Sequence, residues 1–398
     1  MCRNIIIGSE LSVNLRPLLK AIILGNTTRL SIGYDAKRYF LNRTGLGNYS
    51  RDLVRMMQQY YPEHKYLLYT PKLPKEIPAN LDINQVRLPQ GFFNRSLKDF
   101  WRSKTIAKDL QQEGIQLFHG LSGEIPHGLA EKGIKTVVSI HDLIFLRYPE
   151  LYKSIDRYIY DKKSSYAVQH ADQIIAISEQ TKRDIMSFYE VPADKITVIY
   201  QGCHPAFKQS FSPAAQQALR QKYHLPERFL LNVGSIEPRK NALQIVKAIE
   251  KMDIPLLIIG KGGAYAEQIR SYVQDKGMEN RVFILQGFTM EELACIYSMA
   301  SIFIYPSKFE GFGIPIIEAL YAGTPVITTN SGVFPEAGGP FSYYIDPENT
   351  EQLSYAIDSI LCNSSMRAEM IAQGRLYAQR FNDENIARQL MACYEKLV

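Results

Sequence analysis

Cysteine is scarce in this chain of 398 residues, and its five cysteines are scattered without any Cys-x-x-Cys pair. This excludes a zinc ribbon and a disulfide-stapled scaffold, and it favours reduced thiols in a cytosolic protein. No apolar run approaches the roughly 18 to 20 residues that a spanning helix needs, so the sequence predicts no transmembrane segment. Neither sign of charge dominates, and the net charge of +6 is too mild to predict nucleic-acid binding, which needs a denser basic stripe.

What is present is a regular alternation of short apolar runs with helical patterns. The runs are continuously apolar, which is typical of parallel strands buried on both faces. The predicted strands form two series, 30–35, 65–70, 116–120, 136–142, 173–178 and 196–202, then 229–235, 255–262, 282–288, 301–307, 325–330 and 342–346. The fold class is therefore α/β with two parallel-sheet domains. Ligands of such sheets bind beyond the carboxyl ends of the strands, so we expect the site in a cleft between the domains.

The domain boundaries follow from the position of the first predicted strand, 30–35, and from local composition. We predict an N-terminal appendage over 1–29 and an N-terminal domain over 30–205. A polar segment with several prolines predicts a linker over 206–226, and the second strand series predicts a C-terminal domain over 227–376.

The most informative stretch is SIFIYPSKFEGFGIPIIEALYAGTPVITTN, in which a strand, a glycine-containing loop and a helix follow one another. The helix is predicted to begin near Pro315 and to end at Gly323, and its free N–H groups favour a phosphate. Glu310 lies on the loop before the helix, and Glu318 about one turn inside it. Because carboxylates accept hydrogen bonds from hydroxyls, the expected ligand carries hydroxyls on both sides of a diphosphate, as a sugar nucleotide does. The alternative is a pair of solvent-facing glutamates.

A second stretch, LLNVGSIEPRKNALQIVKAIE, places two cations after a predicted strand. Arg239 would bind a diphosphate through its fork of N–H groups, and Lys240 would bind it as a point charge. The alternative is a solvated surface pair. Cations that neutralise the leaving group would make a metal ion unnecessary, and the chain has no Asp-x-Asp, no His-Glu-x-x-His and no clustered His and Cys ligands.

Two glycines follow the first predicted strand, in the segment RTGLGNY. Gly45 and Gly47 would let the backbone and the start of the next helix approach a ligand closely. The pattern is weak by itself, because a tight turn requires the same residues.

Further candidates lie at the ends of other strands in the N-terminal half. His141 and Asp142 follow a strand directly, where catalytic groups gather in such sheets. His119 is placed similarly, although a lone histidine is more often structural. Glu124 lies on a loop with glycine and proline that would line an acceptor pocket, or else has only a structural role.

Residues 30–398 resemble the retaining glycosyltransferases of family 4, which have the GT-B fold. The resemblance rests on GLGNYSRDL, FHGLSGEIP, SIHDLIF, AISEQTKRDI, VGSIEPRKN and FEGFGIPIIEALYAGTPVI, which occur in the family's order. The last of these is the family's Glu-x7-Glu element and is the most specific. The GSIEPRKN variant is similar to bacterial mannosyltransferases that build surface polysaccharide. The GT-B fold implies two facing Rossmann-like domains with a cleft between them.

The resemblance implies roles for the matched positions. The catalytic positions would be Glu310, His141, Arg239 and Lys240. The positions that hold the donor would be Gly47, Arg239, Lys240, Phe312, Gly313, Ile314 and Glu318. The acceptor side would comprise Gly45, His119 and Glu124. Glu310 would contact the donor sugar and Glu318 the nucleotide ribose, and no metal site is implied.

One departure and one further implication accompany the resemblance. The family often has Arg directly after the strand-end glycine, whereas this chain has Ser235. Arg239 would therefore contribute more to binding of the diphosphate. The family also implies that a C-terminal helix over 377–398 crosses back onto the N-terminal domain.

For the reaction, the resemblance implies transfer of a hexose, with mannose expected, to a glycan or glycolipid acceptor in surface polysaccharide synthesis. The donor would be a nucleotide-diphosphate sugar, with GDP-mannose expected, and no cofactor is implied. Retention suggests same-face attack by the acceptor hydroxyl with a leaving phosphate oxygen as base, and covalent attack by Glu310 is less favoured. A UDP-sugar donor and a nucleotide-sugar epimerase of the same fold stay as alternatives.

Residues 92–112, FFNRSLKDFWRSKTIAKDLQQ, mix aromatic and basic side chains. As a basic amphipathic helix this segment would contact an anionic membrane and approach a lipid-linked acceptor. The alternative is a helix of the N-terminal domain with its apolar side chains in the core. We expect a cytoplasmic protein. If residues 92–112 contact the membrane, we expect it to be peripheral at the inner face of the cytoplasmic membrane.

Overall fold

The computed structural model describes residues 29–42, 44–75 and 81–398. The predicted appendage, apart from Arg29, therefore lies outside the described residues, as does Arg43 of the glycine-containing segment. Two parallel sheets organise the described part of the chain, so the predicted α/β class with two parallel-sheet domains is confirmed.

The N-terminal sheet has seven strands within the described ranges. They are β1 (Ser31–Asp35), β2 (Lys65–Tyr69), β3 (Val86–Arg87), β4 (Leu117–Gly120), β5 (Lys135–Ile140), β6 (Gln173–Ala176) and β7 (Ile196–Val198). Their order across the sheet is β3-β2-β1-β4-β5-β6-β7, and every pairing is parallel. The chain order reverses between β1 and β4, so a crevice forms where their following loops diverge.

The C-terminal sheet has six strands in the same part of the chain. They are β8 (Leu230–Val233), β9 (Leu256–Ile259), β10 (Val282–Leu285), β11 (Ile302–Tyr305), β12 (Val326–Thr329) and β13 (Tyr343–Ile345). Their order is β10-β9-β8-β11-β12-β13, again with parallel pairing. The reversal lies between β8 and β11, which are followed by the Arg239–Lys240 loop and the Glu310 loop respectively.

Helices cover the faces of both sheets. Those of the N-terminal half are α1 (Lys37–Leu41), α2 (Gly45–Tyr60), α3 (Gly91–Ser96), α4 (Lys98–Phe100), α5 (Ile106–Gln112), α6 (Ile144–Arg147), α7 (Ser154–His170) and α8 (Glu179–Tyr189). Those that follow are α9 (Pro213–Tyr223), α10 (Ala242–Ala248), α11 (Ala264–Asp275), α12 (Met290–Met299), α13 (Ile314–Ala322), α14 (Phe334–Gly338), α15 (Thr350–Cys362), α16 (Ser364–Ala378) and α17 (Asp383–Glu395). The segment predicted as a linker contains α9.

The last helix, α17, packs against α2 of the N-terminal domain. The hydroxyl of Tyr394 lies 2.6 Å from Nδ1 of His119 on β4. At the start of α17, the carboxylate of Asp383 accepts a hydrogen bond of 2.8 Å from Nη2 of Arg55 on α2 and another from Lys208. The contacts with His119 and Arg55 fix the C-terminal helix to elements from the first third of the chain.

The aromatic and basic segment at 92–112 does not form one continuous helix, so that expectation is wrong. It is divided into α3, α4, a π-helical turn (Trp101–Thr105) and α5. Trp101 is only 1% exposed and donates from Nε1 to Asp109, which draws this part of the segment into the core. Phe92 and Phe93 are 89% and 59% exposed on the part that precedes it. Among the described residues, no helix is both long and apolar enough to cross a membrane.

Candidate functional site

One carboxylate oxygen lies at the centre of the site. Oε1 of Glu310 is 2.9 Å from Nη1 of Arg239 and 3.0 Å from Nζ of Lys240. The same oxygen accepts hydrogen bonds of 2.9 Å from the hydroxyls of Tyr305 and Ser307. The structure therefore brings together three of the four predicted catalytic side chains, which come from loops after β8 and β11.

The opposite charges of this cluster stabilise one another's ionised forms. Burial raises the pKa of Glu310, but attraction to Lys240 and Arg239 outweighs burial and holds the pKa below its usual value. Burial lowers the pKa of Arg239, and the adjacent Glu310 more than offsets this, so the pKa is raised. Glu310 and Arg239 are therefore both charged at neutral pH. Within the described ranges, no group of three His, Cys, Asp or Glu side chains is placed to hold a metal ion.

The backbone makes room for the lysine. Gly234 follows β8 with φ of 146°, and a Cβ atom there would lie 3.3 Å from Nζ of Lys240. Lys240 ends a 3₁₀ turn (Pro238–Lys240), and Asn241 with φ of 60° leads into α10. The turn and the glycine together direct both cations towards Glu310.

Helix α13 begins where the sequence predicted a phosphate-binding helix start. Gly313 precedes it with φ of 117°, and no side chain caps its first turn. The first N–H groups of such a helix favour an anion. Gly323 ends the helix with φ of 77°, as predicted. Phe312 is buried and stacks on Tyr200 with ring centroids 5.4 Å apart, so its ring packs in the core and is not free to contact a ligand.

Glu318 lines a cavity of about 580 Å³ between the two domains. Asn48 and Asp52 of α2 line it from one side, and Ile314 and Glu318 of α13 from the other. Glu318 is 9% exposed, and burial raises its pKa to about 7, although the hydroxyl of Tyr297 donates to its Oε2 at 3.0 Å. Among the described residues no cation pairs with Glu318, so its carboxyl group is a buried acceptor that suits hydroxyl donors.

His141 lies at the end of β5 with both ring nitrogens in hydrogen bonds. Nε2 donates to the carbonyl oxygen of Leu121 at 2.9 Å, and Nδ1 lies 3.1 Å from the side-chain amide of Gln201. Burial lowers its pKa to about 4, so the ring is neutral at pH 7. A Cβ atom on Gly311 would lie 2.6 Å from the carbonyl oxygen of His141, so the loop that carries Glu310 lies directly against this residue.

The two glycines in the first turn of α2 have different environments. A Cβ atom on Gly47 would lie 1.9 Å from the carbonyl oxygen of Asn42, whereas one on Gly45 would contact nothing within 4 Å. The N–H of Gly47 lies 3.0 Å from the carbonyl oxygen of Thr44 and 3.1 Å from Oδ1 of Asn42. Close packing of the helix start against Asn42 therefore accounts for glycine at position 47, and its roles towards donor or acceptor stay predictions.

His119 and Glu124, both predicted on the acceptor side, have different locations. His119 is 0% exposed, and its ring nitrogens contact Tyr394 and Ser139, so in this structure it is a buried link to α17 rather than a surface for an acceptor. The sequence could not show this, because the partner helix is far away along the chain. Glu124 lines a cavity beside His141 and accepts a hydrogen bond from Arg102.

Sequence reasoning missed the two hydroxyl groups on Glu310. Tyr305 ends β11, and its hydroxyl lies 2.7 Å from Nζ of Lys240 as well as 2.9 Å from Glu310. Ser307 follows two residues later. Their positions five and three residues before Glu310 were visible, but a tyrosine at the end of an apolar strand predicts only a core side chain.

A second contact that the sequence did not reveal joins the domains. The carboxylate of Glu336 accepts hydrogen bonds from the N–H groups of Glu179 and Gln180, at 2.7 and 3.1 Å. These groups begin α8, whose positive dipole end favours a carboxylate. Glu336 belongs to α14 of the C-terminal domain, so it holds the two domains together across the cleft.

Comparison with known proteins agrees with this geometry. Residues 43–207 match the sequence family described as Glycosyltransferase Family 4, and residues 215–377 match Glycosyl transferases group 1. The chain is 30% identical over 289 residues to O-antigen chain mannosyltransferase B of Escherichia coli, covering 71% of this chain and 74% of that protein. It is 26% identical over 276 residues to the serotype-specific mannosyltransferase WbdA of Escherichia coli, covering 66% of this chain but 34% of that longer protein.

Solved structures share the fold. The structure of HepE from Anabaena in complex with UDP superposes with a TM-score of 0.71 at 16% identity, covering 93% of this chain and 100% of that one. The chain has two parallel-sheet domains and a Glu-x7-Glu element that includes the start of helix α13. These features define a glycosyltransferase of the GT-B class. Within that class, the chain belongs to glycosyltransferase family 4.

Proposed function

We propose that this protein transfers a mannosyl group from GDP-mannose to a glycan acceptor, with retention of configuration, in the synthesis of a surface polysaccharide such as O-antigen. The observation that carries the proposal is the cluster of Arg239, Lys240 and Glu310 beside the uncapped start of α13. Mannose and polysaccharide are supported by the relatives, whose names are those of O-antigen and serotype-specific mannosyltransferases.

The donor binds with its diphosphate at the two cations and the helix start. As the nucleotide leaves, negative charge builds up on its β-phosphate. Arg239 and Lys240 stabilise this charge more in the transition state than in the ground state, which is the requirement for catalysis. The two glutamates accept hydrogen bonds from hydroxyl groups on either side, Glu310 from the sugar and Glu318 from the ribose.

The acceptor hydroxyl attacks the anomeric carbon from the face that the nucleotide leaves. The C–O bond to the phosphate breaks as the new C–O bond forms, and a phosphate oxygen takes the hydroxyl proton. Glu310 is a poor covalent nucleophile, because the hydroxyl groups of Tyr305 and Ser307 donate to its carboxylate and hold it in place. His141 is neutral and held at both nitrogens, so it shapes the sugar site and does not act as an acid.

The donor is tested with a thermal-shift panel of GDP-mannose, GDP, UDP-glucose and UDP-galactose. A ligand that binds only the folded state stabilises it by about 2.7 kcal/mol at one hundred times its dissociation constant. We expect GDP-mannose and GDP to raise the melting temperature most. A larger shift with a UDP-sugar would replace the donor assignment.

Two product analyses separate the alternatives. Incubation with GDP-mannose alone should give only slow hydrolysis, whereas conversion to another nucleotide sugar would indicate an epimerase. Mass spectrometry of the protein after incubation with donor should show no adduct. A mannosyl adduct on Glu310 would overturn the same-face mechanism.

A further inference from the structure

The segment AISEQTKRDI joins β6 to α8, and the mechanism above uses none of its residues. Ser178 lies between the two elements and caps the helix, because its Oγ accepts a hydrogen bond of 3.0 Å from the N–H of Thr181. Ser178 is fully buried, so the proton of its hydroxyl group also needs a partner inside the protein.

That partner belongs to the other domain. Oγ of Ser178 lies 3.0 Å from the carbonyl oxygen of Gly311, on the loop that carries Glu310. A carbonyl oxygen only accepts hydrogen bonds, so the serine hydroxyl donates to it. Oγ1 of Thr181 lies 2.9 Å from Oγ of Ser178 and 3.1 Å from the carbonyl oxygen of His141. Two buried hydroxyl groups therefore connect the end of β5 with the Glu310 loop.

Glycine at position 311 allows this close approach. A Cβ atom there would lie 2.6 Å from the carbonyl oxygen of His141 and 3.2 Å from Cβ of Asp142. The first of these neighbours is backbone and cannot turn aside, so any side chain at position 311 would push the loop away from the N-terminal domain. Gly311 thus brings its carbonyl group within reach of Ser178.

The hydrogen bond fixes the orientation of one peptide unit, between Gly311 and Phe312. The described residues contain no cis peptide bond, and in a trans unit the C=O and N–H groups point in opposite directions. Because the C=O group points to Ser178, the N–H group of Phe312 points away from it. This unit follows Glu310 directly and leads through Gly313 into α13. Its rotation would therefore displace both the carboxylate and the helix start that are proposed to bind the donor.

We propose that Ser178 is a positioning residue for glycosyl transfer. From the N-terminal domain, its hydroxyl group holds the peptide after Glu310 in the orientation that the bound donor requires. The inference rests on the proposed function, because Ser178 acts through Glu310 and the start of α13. The donor site is then complete only when the two domains meet, so Ser178 couples their closure to the chemical step.

The test compares the wild type with Ser178→Gly and with the control Ser212→Ala. Glycine caps helices nearly as well as serine and adopts the extended backbone of residue 178, so Ser178→Gly removes the hydroxyl group and leaves α8 capped. Ser212 is exposed and caps α9 by accepting from the N–H of Ala215 at 3.2 Å. Its replacement therefore removes a capping hydroxyl group whose partner is its own helix.

Hydrogen exchange followed by mass spectrometry needs no substrate and reports on the loop itself. We expect the amides of residues 309–313 to exchange about five- to tenfold faster in Ser178→Gly, as for the loss of one hydrogen bond. Ser212→Ala should exchange there at the wild-type rate. Unchanged exchange in Ser178→Gly overturns the inference, because the hydrogen bond then does not hold the loop.

Hydrolysis of GDP-mannose, which needs no acceptor, shows whether the held peptide matters for the reaction. We expect kcat of Ser178→Gly to fall about tenfold. KM and the thermal shift with GDP should stay at their wild-type values, because Arg239 and Lys240 bind the diphosphate from another loop. Ser212→Ala should change none of these quantities.

Two kinetic outcomes contradict the inference. Faster exchange with an unchanged kcat would give Ser178 a structural role only. A rise in KM with an unchanged kcat would place its effect on donor affinity and not on the chemical step. A wild type that neither hydrolyses GDP-mannose nor is stabilised by GDP contradicts the proposed function instead, and the exchange measurement still decides whether Ser178 holds the loop.

Discussion

Nζ of Lys240 lies 3.0 Å from Oε1 of Glu310, so the cation proposed to bind the diphosphate is already paired with the carboxylate proposed to bind the sugar. A diphosphate that reaches Lys240 competes with this carboxylate. When the cation turns to the phosphate, Glu310 retains Tyr305 and Ser307 as donors and can accept from a sugar hydroxyl. Donor binding and positioning of Glu310 are thus coupled through one ion pair.

Replacing Lys240 with alanine should slow mannosyl transfer by about 100-fold, comparable to the loss of one oxyanion donor. The measurement is initial rate with GDP-mannose at saturation, so that the effect on the chemical step is separated from donor affinity. Lys251→Ala, a change at an exposed lysine, is the matched control and should retain the wild-type rate. Near-normal turnover of Lys240→Ala would remove this residue from the mechanism.

Glu318 should make folding stability depend on pH. Burial raises its pKa to about 7 in the folded protein, so the folded state keeps a proton that the unfolded state has lost. The stability from this residue is therefore present at low pH and is lost as pH rises to about 7. Between pH 5 and pH 8, Glu318→Gln should gain up to about 3 kcal/mol relative to the wild type, measured by denaturant unfolding. A constant difference would contradict the buried, protonated state.

The same residue should make nucleotide affinity depend on pH. Ribose hydroxyls donate to the ionised carboxylate, so GDP binding by the wild type should strengthen as pH rises from 6 to 8. Titration calorimetry of Glu318→Gln gives the contribution of GDP's own ionisation. Parallel pH profiles for the two proteins would show that Glu318 does not bind the ribose.

Much of the fold was predictable because the strands are short, continuously apolar runs. Each predicted strand corresponds to a strand of the structure, and the C-terminal glycine of α13 was located correctly. The strand β3 was not predicted, because Val86–Arg87 is only two residues long and half-buried at the edge of the sheet. For residues 92–112 the prediction was wrong because their charges and aromatics fit one amphipathic helix, whereas the non-helical backbone of Leu97 separates α3 from α4.

The site was predictable only where residues of suitable chemistry follow strands that are neighbours in the sheet. Glu310, Arg239 and Lys240 follow strands β11 and β8, which adjoin in the sheet, so local sequence placed them together. His119 was indistinguishable from a surface histidine, because the helix that covers it lies 275 residues away along the chain. The link through Glu336 to α8 likewise depends on how the two domains meet, which no local sequence pattern indicates.

The link between the domains through Glu336 should favour the closed arrangement. Glu336→Ala removes the acceptor of two N–H groups at the start of α8, so closure should weaken and kcat/KM should fall about tenfold. Small-angle X-ray scattering should show a larger radius of gyration for this variant. The control Glu369→Ala, at an exposed glutamate of α16, should change neither quantity. An unchanged radius with unchanged activity would contradict the role of this contact.

Membrane contact through the start of the 92–112 segment is a separate prediction. Phe92 and Phe93 are exposed next to Arg95 and Lys98, and apolar side chains beside cations favour an anionic bilayer. Sedimentation with phosphatidylglycerol vesicles should deplete the wild type from the supernatant. The double variant Phe92→Ser, Phe93→Ser should bind the vesicles at least about tenfold more weakly, because each ring that is buried in the bilayer contributes roughly 1.5 to 3 kcal/mol. Phe341→Ser, on the C-terminal domain, should bind as the wild type does. Full recovery of the wild type in the supernatant would leave Phe92 and Phe93 as solvent-exposed rings without a membrane role.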